Sequence, residues 1–107
     1  MDPDWSHVQF IHGSGSDKPG EILSFSEDGS RLLVGSTYSP YYVDVYEWQS
    51  GSSAWTLLGA RISPPNAGVQ SACLSGDGNV VAISDNDHSM DDSRWWITVY
   101  HYASGSW

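Results

Sequence analysis

The sequence predicts an all-β chain, and three observations carry that expectation. Apolar residues recur at every second position rather than at the 3.6-residue period of a helix. Seven short runs fit strands: "ILSFS", "RLLVGS", "YYVDVYEW", "WTLLGARI", "SACLS", "NVVAIS" and "WWITVYHY". Gly, Ser, Pro and Asp interrupt every stretch before three helical turns can form, and Asp28-Gly29 and Asp77-Gly78 are dipeptides that favour tight hairpins.

The first two runs are joined across Asp28-Gly29, so they form a hairpin. "YYVDVYEW" follows a short loop through Tyr38 and Pro40, and "WTLLGARI" follows the Ser/Gly turn 50–53. The next three runs repeat the first three. Residues 21–36, "EILSFSEDGSRLLVGS", match residues 70–84, "QSACLSGDGNVVAIS", with Ser26, Asp28 and Gly29 falling on Ser75, Asp77 and Gly78 at a spacing of 49. "YYVDVYEW" lies over "WWITVYHY" with Val45-Tyr46 on Val99-Tyr100, a spacing of 54, so the loop between these blocks is five residues longer in the second copy. Trp5, Trp55 and Trp107 open a third block and stand 50 and 52 residues apart. Each period holds four short strands, and four-stranded antiparallel units repeated at forty to fifty residues are the pattern of β-propeller blades.

The order "S-x-DG-x-x-(apolar)3-(Gly/Ser)", "V-x-V-Y-x-(Trp/Tyr)" and "G-S-x-W" resembles the FG-GAP-like and tryptophan-aspartate-like propeller repeats found in tandem arrays, over nearly the whole chain. The resemblance implies a propeller fold and no single function, because that architecture hosts lectins, enzymes and protein-binding platforms. The Asp/Asn-rich calcium loop of integrin-type FG-GAP repeats is not reproduced around Asp28 or Asp77.

On this reading residues 1–107 form a single two-blade unit. The first blade, with its leading linker, spans 12–67 and has all four strands. The second, 68–107, has three, while "DWSHVQFI" at the N-terminus is an outer strand without a blade. The expected product is therefore a cyclic homo-oligomer. Strand 4–11 of one chain completes the second blade of its neighbour, pairing against Ile97 to Tyr102, with Trp5, Val8, Phe10, Ile97, Val99, Tyr100 and Trp107 at the interface. The innermost strands carry small residues (Ser24, Ser26, Ser71, Cys73, Ser75), and the outer strands carry Tyr and Trp. Blades thin at the axis and thick at the rim subtend a wide angle, about 60° in a six-bladed ring, which favours three chains; four chains forming eight blades is the alternative.

Composition limits the partners. Thirteen acidic against four basic residues give a formal charge of −9, which repels phosphate backbones and anionic membranes. No apolar run reaches the eighteen or so residues of a membrane span, and "MDPDWSHVQF" lacks the features of a signal peptide, so a soluble chain without nucleic-acid or membrane partners is expected. The single Cys73, in "SACLS", allows no intramolecular disulfide and is expected as a small core residue.

Chemistry is sparse. Asp85, Asp87, Asp91 and Asp92, with Asn86 and His88, lie in the extended loop 84–94 and could supply oxygen ligands to Ca²⁺, but the run has no Gly and no Glu at EF-hand spacing; a solvated acidic loop is the preferred reading. His7, His12, His88 and His101 have no nucleophile signature beside them, and Asp44 and Glu47 point to opposite faces of one strand, so no enzyme is expected. Six Trp and six Tyr make glycan or protein binding the better hint. Tyr42, Tyr46, Trp96 and Tyr100 share one strand face and suit packing between blades, which leaves Tyr38, Tyr41 and Trp95 as the surface candidates. The functional expectation is a self-assembling, non-catalytic ring, lectin-like or protein-binding; the alternative is a purely structural two-blade unit.

Overall fold

A computed structural model describes residues 8–11, 13, 19–38, 40–64, 68–86 and 95–107. Seven strands follow in chain order: β1 (Pro19–Phe25), β2 (Arg31–Ser36), β3 (Tyr42–Gln49), β4 (Ala54–Leu57), β5 (Gly68–Leu74), β6 (Val80–Asn86) and β7 (Trp95–His101). They form two antiparallel sheets, β1-β2-β3-β4 and β5-β6-β7, each a meander of neighbours. Among the described residues there is no helix, as the two-residue period requires.

The two Asp-Gly turns are built alike. In the first, the Ser26 hydroxyl, the Ser30 N–H and the Ser30 hydroxyl all donate to Asp28 Oδ1, at 3.0, 2.9 and 2.7 Å. Arg31 N–H then donates to Ser26 Oγ at 3.0 Å, closing the hairpin. In the second, Asp77 Oδ1 accepts from the Ser75 hydroxyl at 2.7 Å and Asn79 N–H at 3.0 Å, and Val80 N–H donates to Ser75 Oγ at 3.0 Å. Serine and aspartate recur at these positions because their side chains satisfy the backbone donors that the turn leaves over.

These bonds stabilise the charged carboxylates. Hydrogen bonds from Ser30 hold Asp28 below its ordinary 3.8, and the Ser75 hydroxyl foremost does the same for Asp77. A group whose folded value is depressed contributes stability that is present above the unfolded value and is lost as pH falls through the folded one. We therefore expect the melting temperature to drop as pH is lowered from about 4. The drop should be smaller in Asp28→Asn/Asp77→Asn, where asparagine keeps an acceptor oxygen but cannot titrate. Equal slopes in thermal melts of the two proteins would refute the assignment.

The sheets pack face to face, with β5 lying against β1 and β2. Cross-strand register puts Ser24, Leu33 and Val45 side by side on one face of the first sheet, and Ala72, Ile83 and Thr98 on one face of the second. Leu33, Val43, Val45 and Ile62 form the core with Val69, Leu74, Val81 and Ile83. Each such side chain contributes about 1.5–3 kcal/mol when fully buried.

Polar stitches join the sheets at the turn end. Arg31 donates from Nε to Glu47 Oε2 at 3.0 Å on its own sheet, and from Nη1 to Gly78 O at 2.8 Å and Asn79 Oδ1 at 2.6 Å on the other. Gly78 suits both demands of this contact: its φ is +75°, and a Cβ there would stand 2.7 Å from Arg31 Cδ. Glu27 N–H donates to Gly76 O at 2.8 Å, and Leu74 N–H to Ser24 Oγ at 3.2 Å.

The expected outer strand "WTLLGARI" is split. It pairs with β3 from Ala54 to Leu57, Leu58 N–H donates to Val45 O, and the chain bulges through Gly59 to Arg61 before Ile62 bridges to Val43. Cys73 is the clear departure from expectation: it is exposed, not in the core. It shares a face with Ala82 and Val99, on the side of the second sheet turned away from the first.

Candidate functional site

The alternation of each strand produces two outward faces, one on each side of the molecule. The first sheet turns Leu23 and Phe25 outward, with Leu57 on the same side, and the second turns out Cys73, Ile97 and Val99. The repeat gives these faces their meaning. Val43 and Val45 are 0% exposed in the seam, whereas Ile97 and Val99, 54 residues on, are 77% and 53% exposed. In the reverse sense, Phe25 is 60% exposed while Leu74, 49 residues on, is 8% exposed in the seam. Each outward face is thus the repeat counterpart of a face already buried between the two sheets. A hollow of about 220 Å³ on the second face is lined by Ser71, Cys73, Ala82, Ser84 and Ile97.

The sheet edge tells a similar story. β3 is paired by β4 from Tyr46 to Gln49, but β7 has no fourth strand beside it among the described residues. The segment 8–11 lies instead beside the first sheet. Gln9 mimics a strand there, accepting from Trp55 N–H at 2.8 Å and donating to Trp55 O at 3.2 Å. Trp55 also meets Trp48 at 5.5 Å and Phe25 at 6.1 Å between ring centroids.

Where the sheets meet at the rim, a cleft of about 260 Å³ is lined by Arg61, Ser63, Tyr100, Ser106 and Trp107. Its walls are held from behind. Arg61 donates from Nε and Nη2 to the two oxygens of Asp44 at 3.0 and 2.9 Å, and its guanidinium lies 3.6 Å from the centroid of the Tyr42 ring. The Asp44 bond raises the Arg61 pKa further, so the cation is permanent. Burial, and then the charge of Asp44, pushes up the nearby Tyr46 phenol. Trp107 Nε1–H donates to Leu58 O at 2.9 Å, and its ring packs 5.0 Å from that of Tyr102. Gly59, with φ +71°, makes room for it: a Cβ there would meet the indole at 3.0 Å.

The chain matches no protein-family model, no curated protein and no solved structure. Its own geometry is therefore what bears on function.

The sequence-derived candidates fall in different places. Tyr38 is exposed, on the loop after β2, and its N–H donates to Ser36 Oγ at 3.3 Å. Tyr41 is half-buried against the core cluster. Trp95 opens β7 opposite Asn86, and Asp85 sits near the end of β6 opposite Trp96; neither side chain is among the described ones. Asp87, Asp91, Asp92 and Trp5 lie outside the described residues. Val8 and Phe10 are exposed, as are Ile97 and Val99. Tyr100 and Trp107 are used within the chain, packing against the core cluster.

Sequence reasoning passed over Leu23, Phe25 and Leu57 as a second outward face, although strict alternation with Ile22 and Ser24 marks the first two. It also passed over the Arg61–Asp44 pair. An acid in the middle of "VDVY" and a lone base at the end of the next strand were the available signal.

Proposed function

We propose that this chain is a self-assembling β-propeller scaffold, a non-catalytic binding ring made of identical two-blade chains. The observation that supports it is the equivalence of buried and outward faces. If a second copy stacks as the second sheet stacks on the first, Leu23 and Phe25 of one chain cover Cys73, Ala82, Ile97 and Val99 of the next. That contact is heterologous, so a rotation that closes gives a ring, and three chains would form six blades and four chains eight. Repeated binding sites around such a ring gain avidity.

In this reading residues 4–11 pair with the open edge of β7 in the neighbour, and the segment 8–11 leaves the first sheet of its own chain. Gln9 then gives up two exposed hydrogen bonds of about 0.5–1.5 kcal/mol each in net terms. The gain is a filled edge and a complete fourth strand. Between copies, Val80 and His101 stand where Arg31 and Glu47 stand in the internal seam. The joint between chains therefore lacks the arginine clamp, so assembly should depend on concentration.

Deleting residues 1–11 tests the strand exchange. The truncated protein should elute as single chains or aggregate through the bared edge of β7. A truncated protein with the parent's molar mass and melting temperature would rule the exchange out.

A further inference from the structure

We propose that the rim cleft between the two sheets binds a neutral, hydroxyl-rich ligand of monosaccharide size. At about 260 Å³ the cleft is smaller than the roughly 300–1,000 Å³ of drug-sized sites, which suits one sugar ring and no more. Tyr100 and Trp107 bring aromatic surface, on which the C–H face of a sugar packs, and Ser63 and Ser106 bring hydroxyls that donate and accept. Arg61 adds donors. Its pair with Asp44 occupies Nε and Nη2, and the side chain remains 48% exposed at the cleft.

Preorganisation is the reason to read these residues as a site. The guanidinium is fixed by two hydrogen bonds and by the Tyr42 ring, and the indole by its bond to Leu58 and by Tyr102, so little side-chain freedom is left to lose on binding. Charge selects the ligand class. Asp44 already neutralises the one cation, and the chain as a whole carries −9, so an anionic ligand has nothing to gain there. The cleft lies within one chain, and its occupancy does not require the ring.

Saturation-transfer NMR with glucose, galactose, mannose, fucose and N-acetylglucosamine, and with galacturonate as the charged counterpart, tests the proposal. At least one neutral sugar should receive saturation, with a Kd near 1 mM, as befits a small ligand in an open cleft. Ser63→Trp and Ser106→Trp, each at an exposed position, should fill the cleft and weaken binding about tenfold or more, while circular dichroism and melting stay at the parent's values. Ile97→Asp, far from the cleft on the outward face, should bind as the parent does whatever its molar mass, which separates this site from assembly. The proposal is overturned if no neutral sugar is saturated, if both tryptophan variants bind undiminished, or if galacturonate binds and the neutral sugars do not.

Discussion

Replacing Arg61 with alanine should destabilise the chain by about 3–5 kcal/mol, the cost of leaving a buried charge without its partner. Asp44 is 2% exposed, and its two oxygens accept from Arg61 at 3.0 and 2.9 Å. Without the guanidinium both carboxylate oxygens lose their charged donors in a place that water scarcely reaches. The contact of Arg61 with the Tyr42 ring is lost as well. Domains of this size are stable by only about 5–15 kcal/mol, so a large share of the total goes. Urea unfolding should show the midpoint falling steeply with an unchanged m-value. Arg61→Lys should not restore it, because a lysine cannot make the paired bonds of the fork. A loss below about 1 kcal/mol would mean that the pair is only a surface contact.

Placing an aspartate at position 97 should have the opposite profile. Ile97 is exposed in the single chain, so Ile97→Asp should leave its unfolding curve within about 0.5 kcal/mol of the parent's. In the assembled ring the same position would lie under the Leu23 and Phe25 face of the next chain, where an unpaired carboxylate costs several kcal/mol. Association should weaken by about a thousandfold or more, since each 1.4 kcal/mol is a factor of ten. Analytical ultracentrifugation of the variant should show one chain at concentrations where the parent is assembled. An assembled Ile97→Asp protein would show that the outward face is not the joint.

How far the fold was legible depended on which level of structure carried the signal. The Asp-Gly turns were plain because their chemistry is local: Ser26, Asp28 and Ser30 solve the turn with their own side chains, and Ser75, Asp77 and Asn79 repeat the solution. Strand order followed from short connections, and the two sheets came out as meanders in chain order. Cys73 was misplaced because apolar runs do not say which face of a sheet is covered. Its copy Ser24 lies in the seam, but Cys73 lies on the outer side of the second sheet, which no element among the described residues covers. The split of the outer strand at Gly59 could not be read either, since it depends on where the distant Trp107 packs. The cleft was hidden for the same reason: Arg61 and Trp107 are 46 residues apart and meet only through the stacking of the sheets.

The central claim is that identical chains close into a ring, and molar mass in solution tests it most directly. Light scattering coupled to size exclusion should be run over a wide range of protein concentration, because a joint without the arginine clamp should dissociate on dilution. For a chain of 11.7 kDa the account predicts a plateau at about three times that mass, with about four times marking the eight-bladed form of the same ring. A mass of one chain at every concentration, with Ile97→Asp indistinguishable from the parent, would contradict it.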